Sequence, residues 1–123
     1  MENIPSPRPV IDPEALERLR RLGGDELLRK VIDAWLAYVP ERVRSARNGL
    51  EGEQLRTVER AAHSIKSSAG TVGALEVHNL ASRIEELASG NRGDNLSSLL
   101  CDLETACLEV TRLLEQERQE LQS

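Results

Sequence analysis

The sequence predicts an all-α protein, an antiparallel four-helix bundle with a short additional helix at its N-terminal end. Apolar residues recur at steps of three and four along four long segments, which is the period of an amphipathic helix. Aromatic residues are limited to Trp35 and Tyr38, with no Phe. The core must therefore consist of Leu, Val, Ile and Ala, whereas a β-sandwich of this size would contain more aromatic and β-branched residues. The 123 residues are enough for one domain and too few for two.

The first predicted helix is short and follows a proline-rich arm. Residues 1–11 hold three prolines and few groups to bury, so we expect a flexible arm or the remnant of a linker, followed by one domain over residues 12–123. Asp12 is a candidate N-cap with Pro13 in the first helical position. Gly23 and Gly24 end this helix after about two turns.

The four long helices are predicted over residues 25–50, 53–71, 74–88 and from Asn95 onward. The apolar stripe of the first of these stays in phase across Pro40, so we expect a kink there rather than two helices. Short loops containing glycine separate the others and suit antiparallel neighbours.

Charge and composition exclude several function classes. The 16 basic and 21 acidic side chains give a net charge of −5, which offers no basic field for a nucleic acid. No apolar run approaches the roughly 20 residues that cross a bilayer, and the N-terminus has no apolar signal segment. Cys101 and Cys107 are six residues apart, a spacing that fits neither a local disulfide nor a metal site. We therefore expect a cytoplasmic protein without nucleic-acid or direct membrane contact.

His63 is the candidate reactive residue. On a helical wheel the apolar positions of its helix lie roughly 180–280° away from it, so His63 faces solvent. Lys66, Ser67, Gly70 and Glu59 share its side of the helix. A neutral imidazole is a nucleophile at neutral pH, and a nearby ammonium group steadies a phosphoryl group. An exposed histidine on a helix is more often an ordinary solvated residue, so the geometry by itself leaves both interpretations open.

The amino-acid sequence around His63 favours the reactive interpretation. The stretch 62–74, Ala-His-Ser-Ile-Lys-Ser-Ser-Ala-Gly-Thr-Val-Gly-Ala, resembles the histidine phosphotransfer (HPt) family of two-component phosphorelays. The usual family pattern is Ala-His-x-Leu-Lys-Gly-Ser-Ser/Ala-x-x-x-Gly-Ala, followed by an apolar and acidic helix like the one with Leu80, Ile84 and Glu85. The Asp12-Pro13 start, the Gly23-Gly24 turn, the segment Pro40-Glu41-Arg42 and the long last helix look like the family too.

The resemblance implies a function and a set of site residues. His63 would be the phosphorylated histidine and Lys66 its charge partner, while Ser68, Gly73 and Ala74 match structural positions of the family. The chain would relay a phosphoryl group between aspartates of receiver domains, docking them through Glu59, Ser67 and Gly70. Ser67 replaces the glycine of the pattern, where its hydroxyl either crowds the phosphoryl group or donates a hydrogen bond to it.

The remaining features add no further chemistry. The sequence has no phosphate-binding glycine loop, no Ser/His/Asp or Cys/His arrangement and no acidic cluster spaced for magnesium. We therefore expect a monomeric relay intermediate without its own kinase or phosphatase site or cofactor, with Mg²⁺ supplied by the receiver domain. His78 is read as a surface residue, and Glu85 with Glu86 as a solvated helix edge.

Two alternative functions and one question of chain organisation stay open at this point. One alternative is a bundle that binds a kinase or receiver domain as an adaptor and is never phosphorylated. A second is a helical enzyme, which would need polar groups inside the bundle that the apolar stripes lack. The chain is either free-standing or the C-terminal domain of a hybrid sensor kinase, and the linker-like start favours the second.

Overall fold

Four helices form the structure, a computed structural model that describes residues 9–122. They are α1 (Pro13–Glu51), α2 (Leu55–Val72), α3 (Leu75–Ser89) and α4 (Leu96–Gln122), and the described residues contain no strand. Each helix packs against two others, in the order α1, α2, α3, α4 and back to α1. The short connections, residues 52–54, 73–74 and 90–95, suit antiparallel neighbours. The predicted all-α bundle is confirmed.

Helix α1 contains the short N-terminal helix and the first long helix of the prediction. Its backbone leaves helical geometry at Gly23 (φ −148°, ψ 15°) and Gly24 (φ 71°, ψ −167°), where the two predicted helices meet. The positive φ of Gly24 favours glycine because it has no Cβ. At Pro40, where a kink is expected, the backbone angles stay helical. Trp35, Val39 and Ala46 form one buried stripe across this proline, and their packing holds the helix together there.

The start of α1 is fixed to the turn between α2 and α3. The Asp12 side chain accepts a hydrogen bond from the backbone N–H of Glu14 at 3.1 Å, as expected of an N-cap followed by proline. The Asp12 backbone N–H donates to the Gly73 carbonyl at 2.9 Å. Ile11 is buried and Val10 packs against the core, so this end of the predicted arm is part of the fold. Residues 1–8 of that arm lie outside the described residues.

The core is aliphatic, with Trp35 as its largest buried side chain. The indole Nε1 of Trp35 donates to Thr111 Oγ1 at 3.1 Å and links α1 to α4. No polar or charged residue is buried among residues 9–121. Apart from the indole N–H of Trp35, the interior is therefore filled by side chains that only pack, and the charged groups of the described residues lie on the surface. None of the described helices combines the length and the apolar character that a membrane span requires.

Candidate functional site

His63 lies near the middle of α2 on the face opposite the core. The core face of α2 is formed by six buried residues, namely Val58, Ala61, Ala62, Ile65, Ala69 and Val72. The His63 side chain is 66% exposed. The structure thus places His63 outward, as the wheel predicted, and leaves its ring open to an approaching partner.

The His63 ring is held by a carboxylate from the neighbouring helix. His63 Nδ1 lies 2.7 Å from Glu85 Oε2, and Glu85 belongs to α3. An ionised carboxylate only accepts hydrogen bonds, so Nδ1 carries the proton and donates it. In this tautomer the second ring nitrogen, Nε2, keeps its lone pair. The contact therefore selects one nucleophilic atom on an exposed ring.

The same carboxylate also binds Lys66. Lys66 Nζ lies 2.7 Å from the other oxygen of Glu85, Oε1. The Lys66 hydrogen bond is the main cause that lowers the pKa of Glu85, and the His63 contact lowers it further, while partial burial opposes both. Glu85 is consequently ionised at neutral pH, the state in which it accepts from His63. The Lys66 ammonium is directed at Glu85 in this structure.

Glu85 is the neighbour of His63 that the sequence does not predict, since the pair Glu85 and Glu86 indicates only a solvated helix edge. Its side chain is only 21% exposed and makes two contacts with α2. The sequence feature that places Glu85 beside His63 is the register of the α2–α3 hairpin. His63 precedes Gly73 by ten residues and Glu85 follows it by twelve, so an antiparallel hairpin brings them side by side. Glu86 is exposed and matches the predicted edge.

The predicted docking residues surround His63. Ser67 and Gly70 are exposed and Glu59 is half-buried. An open groove of about 260 Å³, hereafter the acidic groove, runs between α2 and α3; it is lined by Glu59, Lys66, Ser82, Glu85, Glu86 and Ser89. The Ser67 carbonyl accepts a hydrogen bond from Thr71 Oγ1 at 3.3 Å. A Cβ built on Gly70 would meet only His78 Cδ2, at 3.8 Å, so the surface there is open.

The other titratable candidates lie away from His63 or inside the core. His78 is half-buried beside Gly70. Cys107 is buried, and that burial raises the pKa of its thiol to about 12, which keeps it protonated. Cys101 is exposed and its Sγ lies 3.4 Å from Arg47 Nη2. Within residues 9–122 no three His, Cys, Asp or Glu side chains are grouped closely enough to hold a metal ion.

Comparison with known families decides what kind of bundle this is. The sequence profile described as "Hpt domain" matches residues 30–123. The chain belongs to the Hpt domain family. Hpt domains carry out histidine phosphotransfer in phosphorelays and interact with receiver domains of two-component systems. This Hpt domain is accordingly a phosphotransfer intermediate.

Solved structures agree with the family assignment. The crystal structure of histidine-containing phosphotransfer protein B (HptB) from Pseudomonas aeruginosa PAO1 is similar to this Hpt domain with a TM-score of 0.86 and 25% sequence identity, covering 93% of this chain and 98% of that chain. The X-ray structure of a rice protein assigned as a histidine-containing phosphotransfer protein is also similar, with a TM-score of 0.76 and 17% sequence identity. The match covers 93% of this chain and 85% of the rice chain. The rice structure supports the fold alone. No curated protein matches the chain.

Proposed function

We propose that His63 is the phosphorylated residue, which accepts a phosphoryl group from the aspartate of one receiver domain and passes it to the aspartate of another. The observation that carries this proposal is the 2.7 Å contact between His63 Nδ1 and Glu85 Oε2 on an otherwise exposed ring. It supplies one defined nucleophile, Nε2, with room for a large partner. His78, the other histidine of the sequence, is half-buried.

The phosphoryl transfer does not require the imidazole ring to lose a proton. The Nε2 lone pair attacks the phosphorus of an aspartyl phosphate in line, the N–P bond forms, and the P–O bond breaks as the aspartate leaves as a carboxylate. The ring then carries both the phosphoryl group and the Nδ1 proton, and so becomes cationic. The ionised Glu85 stabilises that charge through the hydrogen bond from Nδ1. Transfer to the second receiver reverses each of these changes.

Lys66 has two roles in this proposal. Its ion pair with Glu85 keeps the carboxylate ionised and in place. It also adds positive charge near the incoming phosphoryl group, the role that the family pattern implies. The receiver domain supplies Mg²⁺ and the rest of the transition-state charge stabilisation, and the Hpt domain contributes no kinase or phosphatase site of its own.

The proposed docking surface is the exposed face of α2 around His63, with Glu59, Ser67 and Gly70. A relay needs a complex that dissociates after each transfer, so we propose a monomer that forms a small, transient interface. The setting we propose is the cytoplasm, where this chain acts either alone or as the C-terminal domain of a hybrid sensor kinase. Its two free cysteines are compatible with that compartment.

Transfer to His63→Gln tests the proposal directly. A panel of receiver domains, each phosphorylated with acetyl phosphate, is mixed with the wild-type chain, and acid-labile, alkali-stable phosphate on the chain is measured. We expect the wild type and the matched control His78→Gln to accept phosphate and His63→Gln to accept none. Phosphate on His63→Gln, or on another residue of the wild type, overturns the assignment. Receiver binding by the wild type without any phosphorylation identifies the adaptor instead.

A further inference from the structure

A second groove, on the α1 side of His63, is positively charged. It has a volume of about 330 Å³ and is lined by Arg42, Ser45, Thr57, Arg60, Ala61 and Ser64. We refer to it as the basic groove. Both arginines are exposed, and the three hydroxyl groups line the space between them. All of these polar groups donate hydrogen bonds, so the groove favours anionic oxygen atoms as its ligands.

The arginines of this groove are not neutralised by the protein itself. Within residues 9–122, no ion pair or side-chain hydrogen bond involves Arg42 or Arg60. Arg56, one turn before Arg60 on α2, is exposed and equally without an acidic partner in this part of the chain. Their charge is therefore directed at solvent, where it attracts an acidic surface over a distance of about one Debye length, roughly 8–10 Å.

This positive charge contrasts with the acidic helices α3 and α4. Helix α2 carries three basic and one acidic side chain, whereas α4 carries two basic and six acidic ones, and the whole chain has a net charge of −5. The acidic groove lies on the α3 side of His63 and the basic groove on its α1 side. His63 thus stands between two flanks of opposite charge.

The basic groove lies within the area that a partner of His63 must cover. Arg60 is three residues before His63 and Ser64 is the next residue after it, which places both within about 5 Å of His63 along the helix axis. A standard interface buries roughly 800 Å² on each partner, a patch much wider than this separation. A protein that brings an aspartate to His63 therefore contacts the groove in the same encounter.

We propose that the basic groove, through Arg42 and Arg60, binds acidic side chains of the receiver domain and so sets the orientation in which its aspartate meets His63. The inference rests on the proposed function, because it takes a receiver as the partner of His63. Opposite charges on the two flanks favour one orientation, since rotating the receiver by half a turn would bring its acidic side against the acidic groove. The groove is open, so it suits side chains on the surface of a partner protein better than a small anion, which would need an enclosed site.

The test is the double variant Arg42→Glu/Arg60→Glu, measured by transfer from a phosphorylated receiver that donates to the wild type. Its matched control is Arg21→Glu/Arg112→Glu, which makes the same change in net charge at two exposed arginines without ion pairs in the described part of the chain. At low salt we expect kcat/KM to fall about tenfold or more for the groove variant, well beyond the control, and the difference to shrink as salt is raised. An equal fall in both variants, or a salt-independent fall, overturns the inference.

Direct chemical phosphorylation separates this inference from the function on which it rests. Phosphoramidate, a small phosphoryl donor, needs no docking surface, so at high salt, where the charge changes are screened, we expect it to phosphorylate His63 to the same final extent in the wild type and in both variants. If the wild type is phosphorylated by neither donor at His63, the proposed function fails. If phosphoramidate labels all three proteins equally and the receiver also labels them equally, the function stands and the docking inference is wrong.

Discussion

Glu85 fixes the tautomer of the exposed His63 imidazole. A histidine ring in water exchanges between two neutral tautomers, so its nucleophilic atom is not defined. The hydrogen bond from Nδ1 to Glu85 and the ion pair between Glu85 and Lys66 join three side chains of two helices into one unit. The tautomer of the His63 ring is therefore set by the α2–α3 pair rather than by one residue.

Removing Glu85 should slow phosphorylation without abolishing it. In Glu85→Ala the ring loses a hydrogen bond to a charged acceptor, worth roughly 1.5 kcal/mol at this exposed site, or about a tenfold loss of rate. In Glu85→Gln the amide oxygen still accepts from Nδ1, so this variant should keep more of the rate than Glu85→Ala. Single-turnover transfer gives the rates, and nitrogen chemical shifts of the His63 ring report the tautomer. A wild-type rate and tautomer in Glu85→Ala would contradict this role.

The sequence predicts His63 and Lys66 as site residues because both belong to a contiguous pattern on one helix. Glu85 comes from another helix, and its position beside His63 depends on how α2 and α3 pair across Gly73. An acidic residue on a helix surface is usually solvated. On a helical wheel Glu85 lies closer than Glu86 to the apolar stripe of α3, but that position does not reveal its partners on α2. The register of the hairpin determines those partners, and that register is a tertiary property.

At the scale of the elements, the turn at Gly73 fixes the α2–α3 register and anchors the start of α1. Gly73 has a φ of 75°, and a Cβ built there would lie 2.6 Å from Ala15 Cβ and 3.0 Å from Asp12 Cβ. Its carbonyl accepts the hydrogen bond from the Asp12 backbone. Glycine is therefore required here both by the backbone conformation and by the close approach of α1.

Substitution of Gly73 tests this requirement. Gly73→Ala should destabilise the fold by about 1–3 kcal/mol, because the left-handed conformation is strained for alanine and the two Cβ contacts force the backbone apart. Gly93→Ala is the matched control, since a Cβ there meets nothing within 4 Å. Urea unfolding followed by the fluorescence of Trp35, the one tryptophan of the sequence, gives both values. Equal stability of the two variants would refute the argument.

The helices themselves followed from their apolar periodicity, and the buried faces of α2, α3 and α4 match the predicted stripes. Periodicity specifies which side of a helix is buried but not how far a backbone continues. The two glycines, rather than the period, predicted the break at Gly23–Gly24, where the backbone does leave helical geometry. Periodicity does not predict the burial of Ile11 for a related reason, since two adjacent apolar residues after three prolines carry no period.

Across residues 9–122, carboxylates tie neighbouring helices together, among them Asp33 of α1, which pairs with Arg118 of α4. Glu85 joins α3 to α2 through Lys66, and Glu104 joins α4 to α1 through Arg47, with oxygen–nitrogen distances of 2.7 Å in both pairs. The hydrogen bond from Arg47 lowers the pKa of Glu104, as that from Lys66 lowers the pKa of Glu85. Both carboxylates thus bind protons less readily in the folded chain than in the unfolded one.

These lowered pKa values predict an acid-sensitive fold. The stabilisation is fully present above the ordinary carboxylate pKa near 4.5 and is lost as the pH falls through the lower folded-state values. Glu85→Gln/Glu104→Gln should therefore show a smaller decrease of the unfolding free energy below pH 4.5 than the wild type. Urea unfolding between pH 3 and pH 7 measures the slope. Glu86→Gln, whose residue joins no ion pair in residues 9–122, should keep the wild-type slope.

The two faces of α2 divide the work of this small chain between different residues. Those that hold the bundle together point inward, and those proposed to meet a partner point outward. Of the α2 residues, Ala61 belongs both to the core face and to the lining of the basic groove. Surface substitutions are usually within about 0.5 kcal/mol of neutral for folding. Mutation can therefore alter the exposed positions around His63 at little cost to the scaffold. In a lineage that duplicates such a chain, copies can diverge in the signals they serve while keeping the same core.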